Sequence, residues 1–235
     1  MSRLARIVLP DTPHHVTQRG NRGMEIFSEN SDFALYRDLL SERLKFHSVV
    51  CSAYCLMPNH VHLLLTPTRP DVASASASLS RSVGEAHRRY TAFVNARART
   101  TGHLFQGRFG CVAMDEAHWL AAVRYLAFNP VRAGLCKRPQ DWPWSSVAAH
   151  LRGRDDGCVD VSKVLDVAPR FADLLEPSSE EAGSGSFATL GGNARPLGDA
   201  AFLARAESLL GRSLAPRRPG RKPRAARGES RRDLK

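Results

Sequence analysis

The spacing of apolar and polar positions changes period several times over the first 150 residues, and each change marks an element. His14-His15-Val16-Thr17-Gln18-Arg19 is a short extended segment, ended by the turn signal Gly20-Asn21-Arg22-Gly23. Asn30 or Ser31 can cap a helix to about His47, with Phe33, Leu35, Tyr36, Leu39, Leu40 and Leu44 on its apolar side. Val49 to Met57 and His60 to Thr66 read as strands, closed into a hairpin by Pro58-Asn59. Val72 to Val94 is helical in pattern, Arg97 to Gly107 is a basic loop, and Phe109 to Met114 is a strand. Asp115 caps a last helix expected to stop near Phe128, before Asn129-Pro130. The order βαββαβα predicts an α+β sandwich, an antiparallel sheet with helices over one face.

Within that class the order is ferredoxin-like, or RRM-like. Residues 1–150 read as one folded unit. After His150 the character changes: 151–198 reads as linker, with Glu176-Pro-Ser-Ser-Glu-Glu and Gly183-Ser-Gly-Ser. Residues 199–235 are expected to hold a short helix, Asp199 to Leu210, and a Pro/Arg/Gly-rich basic tail that is disordered by itself.

Charge sharpens this division. The chain of 235 residues has 34 Lys and Arg against 23 Asp and Glu, a net of +11. Residues 211–235 alone contribute ten basic and two acidic side chains, leaving the rest only +3. A nearly neutral body with a cationic end points to a polyanion, most often nucleic acid. No apolar run approaches the roughly 18 residues of a membrane span, and the N-terminal apolar run is short for an export signal. The five cysteines are odd in number and irregularly spaced, so reduced thiols and a cytoplasmic location are expected, nucleoid-associated if the polyanion is DNA.

Two patterns carry candidate chemistry. In His60-Val61-His62 the two imidazoles lie two apart on a strand and share a face, where they can bind a divalent cation or serve as ordinary sheet-face histidines. Cys51 and Cys55 share a face by the same alternation and would suggest zinc only if that face is the histidines' own. On the last helix, Trp119, Leu120, Val123, Leu126 and Ala127 form an apolar packing stripe. Tyr125 falls outside it, beside Ala121 and Ala122, and is expected to be accessible; Asn129 follows one turn later on the same side.

Five blocks stand in order: Tyr54-Cys-Leu-Met-Pro-Asn-His-Val-His-Leu-Leu-Leu, His15-Val-Thr-Gln-Arg-Gly-Asn-Arg, Gly102-His-Leu-Phe-Gln-Gly-Arg-Phe, Arg124-Tyr-Leu-Ala-Phe-Asn-Pro-Val-Arg-Ala-Gly and Asp141-Trp-Pro-Trp-Ser-Ser, the second of them first along the chain. Together they resemble the REP-associated tyrosine transposases, within the single-tyrosine HUH transposases of small bacterial insertion sequences. The resemblance spans about residues 1–150. It implies that His60 and His62 hold Mg²⁺ or Mn²⁺, with Asn129 where a polar residue completes the metal site in relatives; other branches carry Gln there. It implies that Tyr125 is the nucleophile, forming a 5′-phosphotyrosine in single-stranded DNA near palindromic hairpins. Some relatives are homodimers and others act alone.

A tyrosine in place of activated water fits strand transfer, because the covalent bond stores the energy for rejoining. A phenol is almost wholly protonated at neutral pH, so a metal or cationic neighbours must assist. Arg19, Arg22, Arg88, Arg89, Arg97, Arg99 and Arg108, with Arg217, Arg218, Arg221 and Lys222 of the tail, are the candidate contacts to DNA phosphates. Tyr90 and Phe105 are candidates for stacking on unpaired bases, whereas Phe93 is expected in the core. The competing reading is a module that binds structured DNA or RNA on its sheet without cutting it.

Overall fold

The computed structural model describes residues 6–176 and 195–214. Four strands, β1 (His14–Arg19), β2 (Val49–Met57), β3 (His60–Pro67) and β4 (Gly110–Ala113), form one sheet in the order β2-β3-β1-β4. Every neighbouring pair is antiparallel. Hairpin β2–β3 is joined by Pro58-Asn59, and β1 returns between β3 and β4, the ferredoxin-like arrangement expected from the element order. The long helices are α1 (Asn30–Phe46), α2 (Val72–Ala98) and α3 (Glu116–Arg132); shorter ones are α4 (Val147–Arg152), α5 (Ser162–Val167) and α6 (Ala200–Leu210).

The helices cover both faces of the sheet, where one face was expected. Tyr36, Leu40 and Leu44 of α1 and Leu79, Val83 and Tyr90 of α2 pack with Val16, Val61, Leu63 and Leu65. Trp119, Val123 and Leu126 of α3 pack with Leu64, Cys55, Met57 and Val112 on the opposite face. The reason is visible in β3. Leu63-Leu64-Leu65 is a continuous apolar run, and alternation then sends Leu64 away from its neighbours into a second apolar layer.

Local irregularities matter for the site. A register shift between Cys51 and Ala53 breaks the alternation of β2. Cys51 therefore joins the α1/α2 core while Cys55 lies on the α3 face, opposite His62, so the two thiols do not share a face. Helix α3 does not stop before Asn129-Pro130. Its Asp115 cap accepts from His118 N as expected, but Pro130 is accommodated in the last turn and the helix runs to Arg132. Proline lacks only its own N–H there, and near a helix end that costs a single bond. The continuation keeps Asn129 and Arg132 in helical phase with Tyr125. Likewise α2 continues to Ala98, so Arg97 is on a helix and not in the basic loop.

Both sheet edges are covered. Along β2, Leu56 N donates to Trp144 O at 2.8 Å and Ser146 N to Tyr54 O at 3.0 Å. Along β4, Leu197 N donates to Ala113 O at 2.8 Å and Asp115 N to Leu197 O at 2.9 Å. Such cover removes the unpaired strand groups that would template aggregation. Residues 152–176, expected as linker, are instead folded onto the body. Val159 and Val161 are buried in the α1/α2 core, and Val164 and Phe171 in the α3 core. Phe171 stacks on His150, with centroids 4.6 Å apart, and His150 reaches Ser52 O. These apolar residues are too few and too irregularly spaced to show a period in sequence. Helix α6 forms where expected, capped by Asp199, and packs Phe202 and Ala206 against Leu9 and Ala113. The Ser/Gly-rich part of the linker and the basic tail from Ala215 lie outside the described residues.

Candidate functional site: imidazoles and a phenol between β1, β3 and α3

Pairing of β1 with β3 sets Thr17 opposite His62, Arg19 opposite His60 and His15 opposite Leu64. Opposed residues in antiparallel strands share a face, so His15, Thr17 and Arg19 lie on the same side as His60 and His62. This is the side covered by α3. The sequence reading of His60-Val61-His62 is matched in geometry: Val61 points into the α1/α2 core, and the two imidazole centroids are 4.8 Å apart.

Tyr125 meets them. Its ring lies edge-on to His62, with centroids 5.6 Å apart, and edge-on to His15 at 6.2 Å. It is only 8% exposed, contrary to the accessible phenol expected from the helical wheel. The buried arc of α3 is wider than the apolar stripe: Ala122, Tyr125 and Asn129 lie along its polar margin and are buried with it. A small alanine at 122 lets the helix approach the sheet, so the phenol faces imidazoles and not solvent. Arg132, two turns on, places its guanidinium carbon 4.4 Å from the Tyr125 ring centroid and donates to the Tyr125 carbonyl.

The hydrogen bonds fix the state of each imidazole. Asn129 Nδ2 lies 3.1 Å from His62 Nε2, and an amide nitrogen can only donate. His62 Nε2 therefore accepts, and the ring proton sits on Nδ1. That atom is 2.9 Å from His15 Nε2, to which it donates. His60 Nδ1 pairs with Asn59 Oδ1 at 2.6 Å, an acceptor, so its proton is likewise on Nδ1. Both histidines of the pair thus carry the ring proton on Nδ1, and His62 Nε2 accepts from Asn129. Burial pushes His60 down to about 4, helped by Arg19, and His15 down to about 4. Burial also holds His62 well below the usual histidine range, with His15 and His60 adding to it. All three are neutral near pH 7, as ligation by imidazole requires.

Among the described residues, no three His, Cys, Asp or Glu side chains gather into a metal cage. The donor set is two imidazole nitrogens and, after rotation of its amide, the Asn129 oxygen. Imidazole nitrogens and an amide oxygen are the donor chemistry that could hold a divalent cation here.

The sequence-predicted DNA contacts divide. Arg89 is paired with Glu42 at 3.0 Å, and Arg97 is held by Asp32 at 2.6 Å and Glu29 at 2.9 Å. Arg99 ends α2 in the left-handed conformation. Arg19 and Arg22 are exposed at the end of β1, next to His60, and Arg88 and Arg108 are exposed on the other side of the molecule. Arg217, Arg218, Arg221 and Lys222 lie outside the described residues. Tyr90 and Phe105 are not stacking platforms: Tyr90 is fully buried with its hydroxyl on Ile26 O, and Phe105 stacks on His87. Phe93, expected in the core, is exposed.

Sequence reading passed over His15 and Arg132. Both lay within the quoted blocks, and a signal existed for each: His15 shares strand phase with Thr17 and Arg19, and Arg132 is seven residues after Tyr125.

No family model matches the chain, and no curated protein does. Among solved structures it is similar to a REP-associated tyrosine transposase bound to a REP hairpin. The two share 21% identity over 69% of this chain and 94% of that one, with a TM-score of 0.55. That likeness is one of fold. A candidate transposase from Deinococcus radiodurans R1 is 20% identical over 53% of this chain and 95% of that one, with a TM-score of 0.35.

Proposed function

We propose that the chain is a metal-dependent single-stranded DNA endonuclease and strand transferase, a tyrosine transposase of the HUH type that acts beside a DNA hairpin. The observation that carries this reading is the meeting of Tyr125 with His62 at 5.6 Å between ring centroids, within one chain. The fold likeness to a transposase bound to a REP hairpin supports it. So does the set of sequence blocks, since a module that only binds has no use for a phenol, two neutral imidazoles and an amide facing one another.

His60 Nε2, His62 Nε2 and the Asn129 amide would hold the divalent cation. When bound, it offsets charge on a nonbridging phosphate oxygen and orients the phosphorus. Tyr125 Oη attacks phosphorus and forms the tyrosyl–phosphate bond; the bond from phosphorus to the 3′-oxygen breaks. The phenol proton passes to solvent, and the departing oxygen takes up a proton as a 3′-hydroxyl. The phosphate remains on the 5′ side, and a 3′-hydroxyl of another strand can reverse the step. Arg132 sits against the same ring and supplies positive charge where the phenol loses its proton.

The test is incubation of the full chain with hairpin-flanked single-stranded DNA and Mn²⁺, followed by mass spectrometry for a tyrosine–DNA adduct. The adduct should appear with metal only and be absent in Tyr125→Phe. An adduct retained by Tyr125→Phe rules out this nucleophile.

A further inference from the structure

Far from the imidazoles, a turn of the segment after α4 brings a second thiol to Cys51. The register shift in β2 sends Cys51 into the α1/α2 core, where it is 2% exposed. Cys158 is half-buried and packs against the same core. Both line one cleft of about 190 Å³, walled by the C-terminal part of α1, the start of β2 and residues 155–160. The thiols meet directly: a hydrogen bond with the Cys158 thiol first, and burial second, push the Cys51 thiol well above the usual cysteine range.

The backbone around Cys158 is fastened to β2 on both sides. Asp156 Oδ2 accepts from the Tyr54 hydroxyl at 2.5 Å, and its Oδ1 accepts from Cys158 N and Val159 N, each at 2.9 Å. Beyond the cysteine, Asp160 N donates to Cys51 O at 2.8 Å. Segments held in this way run side by side, the approach that a disulfide requires. Gly157, next to Cys158, has φ +92° and nothing within 4 Å of where a Cβ would stand, so the turn has room to adjust.

The other buried thiols are placed differently. Cys55 directs its thiol to Met57 Sδ, 3.6 Å away in the α3 layer, and Cys111 is buried within the α1/α2 core. The proposed transfer chemistry uses neither Cys51 nor Cys158, and packing of the core needs no second sulfur at the mouth of a cleft.

We propose that Cys51 and Cys158 form an oxidation site, in which a peroxide joins them by a reversible disulfide. The half-buried Cys158 reacts first. Its sulfur attacks one oxygen of hydrogen peroxide, the O–O bond breaks, and the second oxygen leaves as water with the thiol proton. The Cys51 sulfur then attacks the resulting sulfenic acid at Cys158. The S–S bond forms, the S–O bond breaks, and the hydroxyl leaves as water with the Cys51 proton. Two thiols lose two electrons and one peroxide becomes two waters; an external dithiol reverses the change. The bond pins residues 152–176 to β2. The same segment backs the helix that carries Tyr125, since Arg124 donates to the Leu174 carbonyl and Phe171 lies in the α3 core.

The test is treatment of the full chain with hydrogen peroxide, then alkylation of free thiols and peptide mapping by mass spectrometry without reduction. The wild type should lose two hydrogens, keep three of its five cysteines alkylatable and yield a peptide pair joined through Cys51 and Cys158. The bond closes a loop of about a hundred residues, so Tm should rise by about 5–15 °C and return with dithiothreitol. Cys158→Ser, altered at a half-buried position, should show neither the joined pair nor the rise, whereas Cys136→Ser should show both. Five alkylatable thiols after peroxide, Cys158 carried on to sulfinic acid beside a free Cys51, or the same Tm rise in Cys158→Ser would each overturn the site. None of these readouts involves DNA, so they stand or fall apart from the transfer chemistry.

Discussion

His15 Nε2 accepts a hydrogen bond from His62 Nδ1 at 2.9 Å, deep between β1 and β3. That bond selects the His62 tautomer whose Nε2 faces Asn129, and it fixes the ring plane. Partners of this kind, on the far nitrogen of a ligating imidazole, are worth about 10–100-fold in metal affinity. His15→Ala should therefore weaken Mn²⁺ binding by that factor in calorimetric titration. His15→Gln, whose side-chain oxygen can accept the same proton, should recover part of the loss. Equal affinity in wild type and His15→Ala would show that His62 is positioned by its packing alone.

Binding and cutting should separate. His60 lies on the α3 face at the start of β3, opposite Arg19. His60→Ala should abolish adduct formation while hairpin affinity stays within about two-fold, because phosphate contacts supply most of the binding energy. Chelation of the metal should do the same to the wild type. A gel shift lost in His60→Ala would mean that the imidazole is part of the DNA grip.

The proton uptake of buried histidines sets the acid limit of the fold. His14 Nε2 accepts from Leu9 N at 3.1 Å, and burial pushes His14 down to about 4. His87 Nε2 bonds the Tyr36 hydroxyl at 2.9 Å, and burial pushes His87 down to about 3. Unfolded histidine titrates near 6.5, so below that pH the unfolded chain binds protons that the folded chain refuses. Stability is full above about 6.5 and falls as pH drops toward 4, by about 1.4 kcal/mol per unit for each histidine. At pH 5.5 the pair alone should lower Tm by roughly 5–10 °C relative to pH 7.5. A Tm that stays level between these values by differential scanning fluorimetry would contradict the assignment.

What the sequence disclosed follows from how local each signal is. The His60-x-His62 face, the Asp115 cap and the Pro58-Asn59 hairpin depend on residues within a turn of one another, and each is present in the structure. His15 was hidden because its place beside His62 depends on β1 pairing with β3, 47 residues apart. Tyr125 was misjudged as accessible because a helical wheel ranks apolar residues and does not know that the sheet offers imidazoles to a phenol. Pro130 read as a stop, although a helix tolerates it in the last turn. The edge cover by Trp144–Ser146 and Leu197 is a matter of single backbone bonds and leaves no periodic trace.

Arg132 gives the sharpest test of what surrounds the phenol. Its guanidinium carbon lies 4.4 Å from the Tyr125 ring centroid, and it donates to the Tyr125 carbonyl, so it holds both the charge and the helix end next to the proposed nucleophile. In the ground state a neutral phenol gains little from this neighbour. In the transition state negative charge develops on the phenol oxygen and the phosphate, and a fixed cation is worth about 10²–10³ in rate. Arg132→Gln should lower the single-turnover rate of adduct formation by about that factor at saturating DNA, with hairpin affinity nearly unchanged. Arg132→Lys, which keeps the charge but loses the planar contact with the ring, should fall between them. Circular dichroism and Tm report whether the lost bond to the Tyr125 carbonyl loosens α3. A normal rate in Arg132→Gln, or a loss explained wholly by weaker DNA binding, would remove the cation from the chemistry.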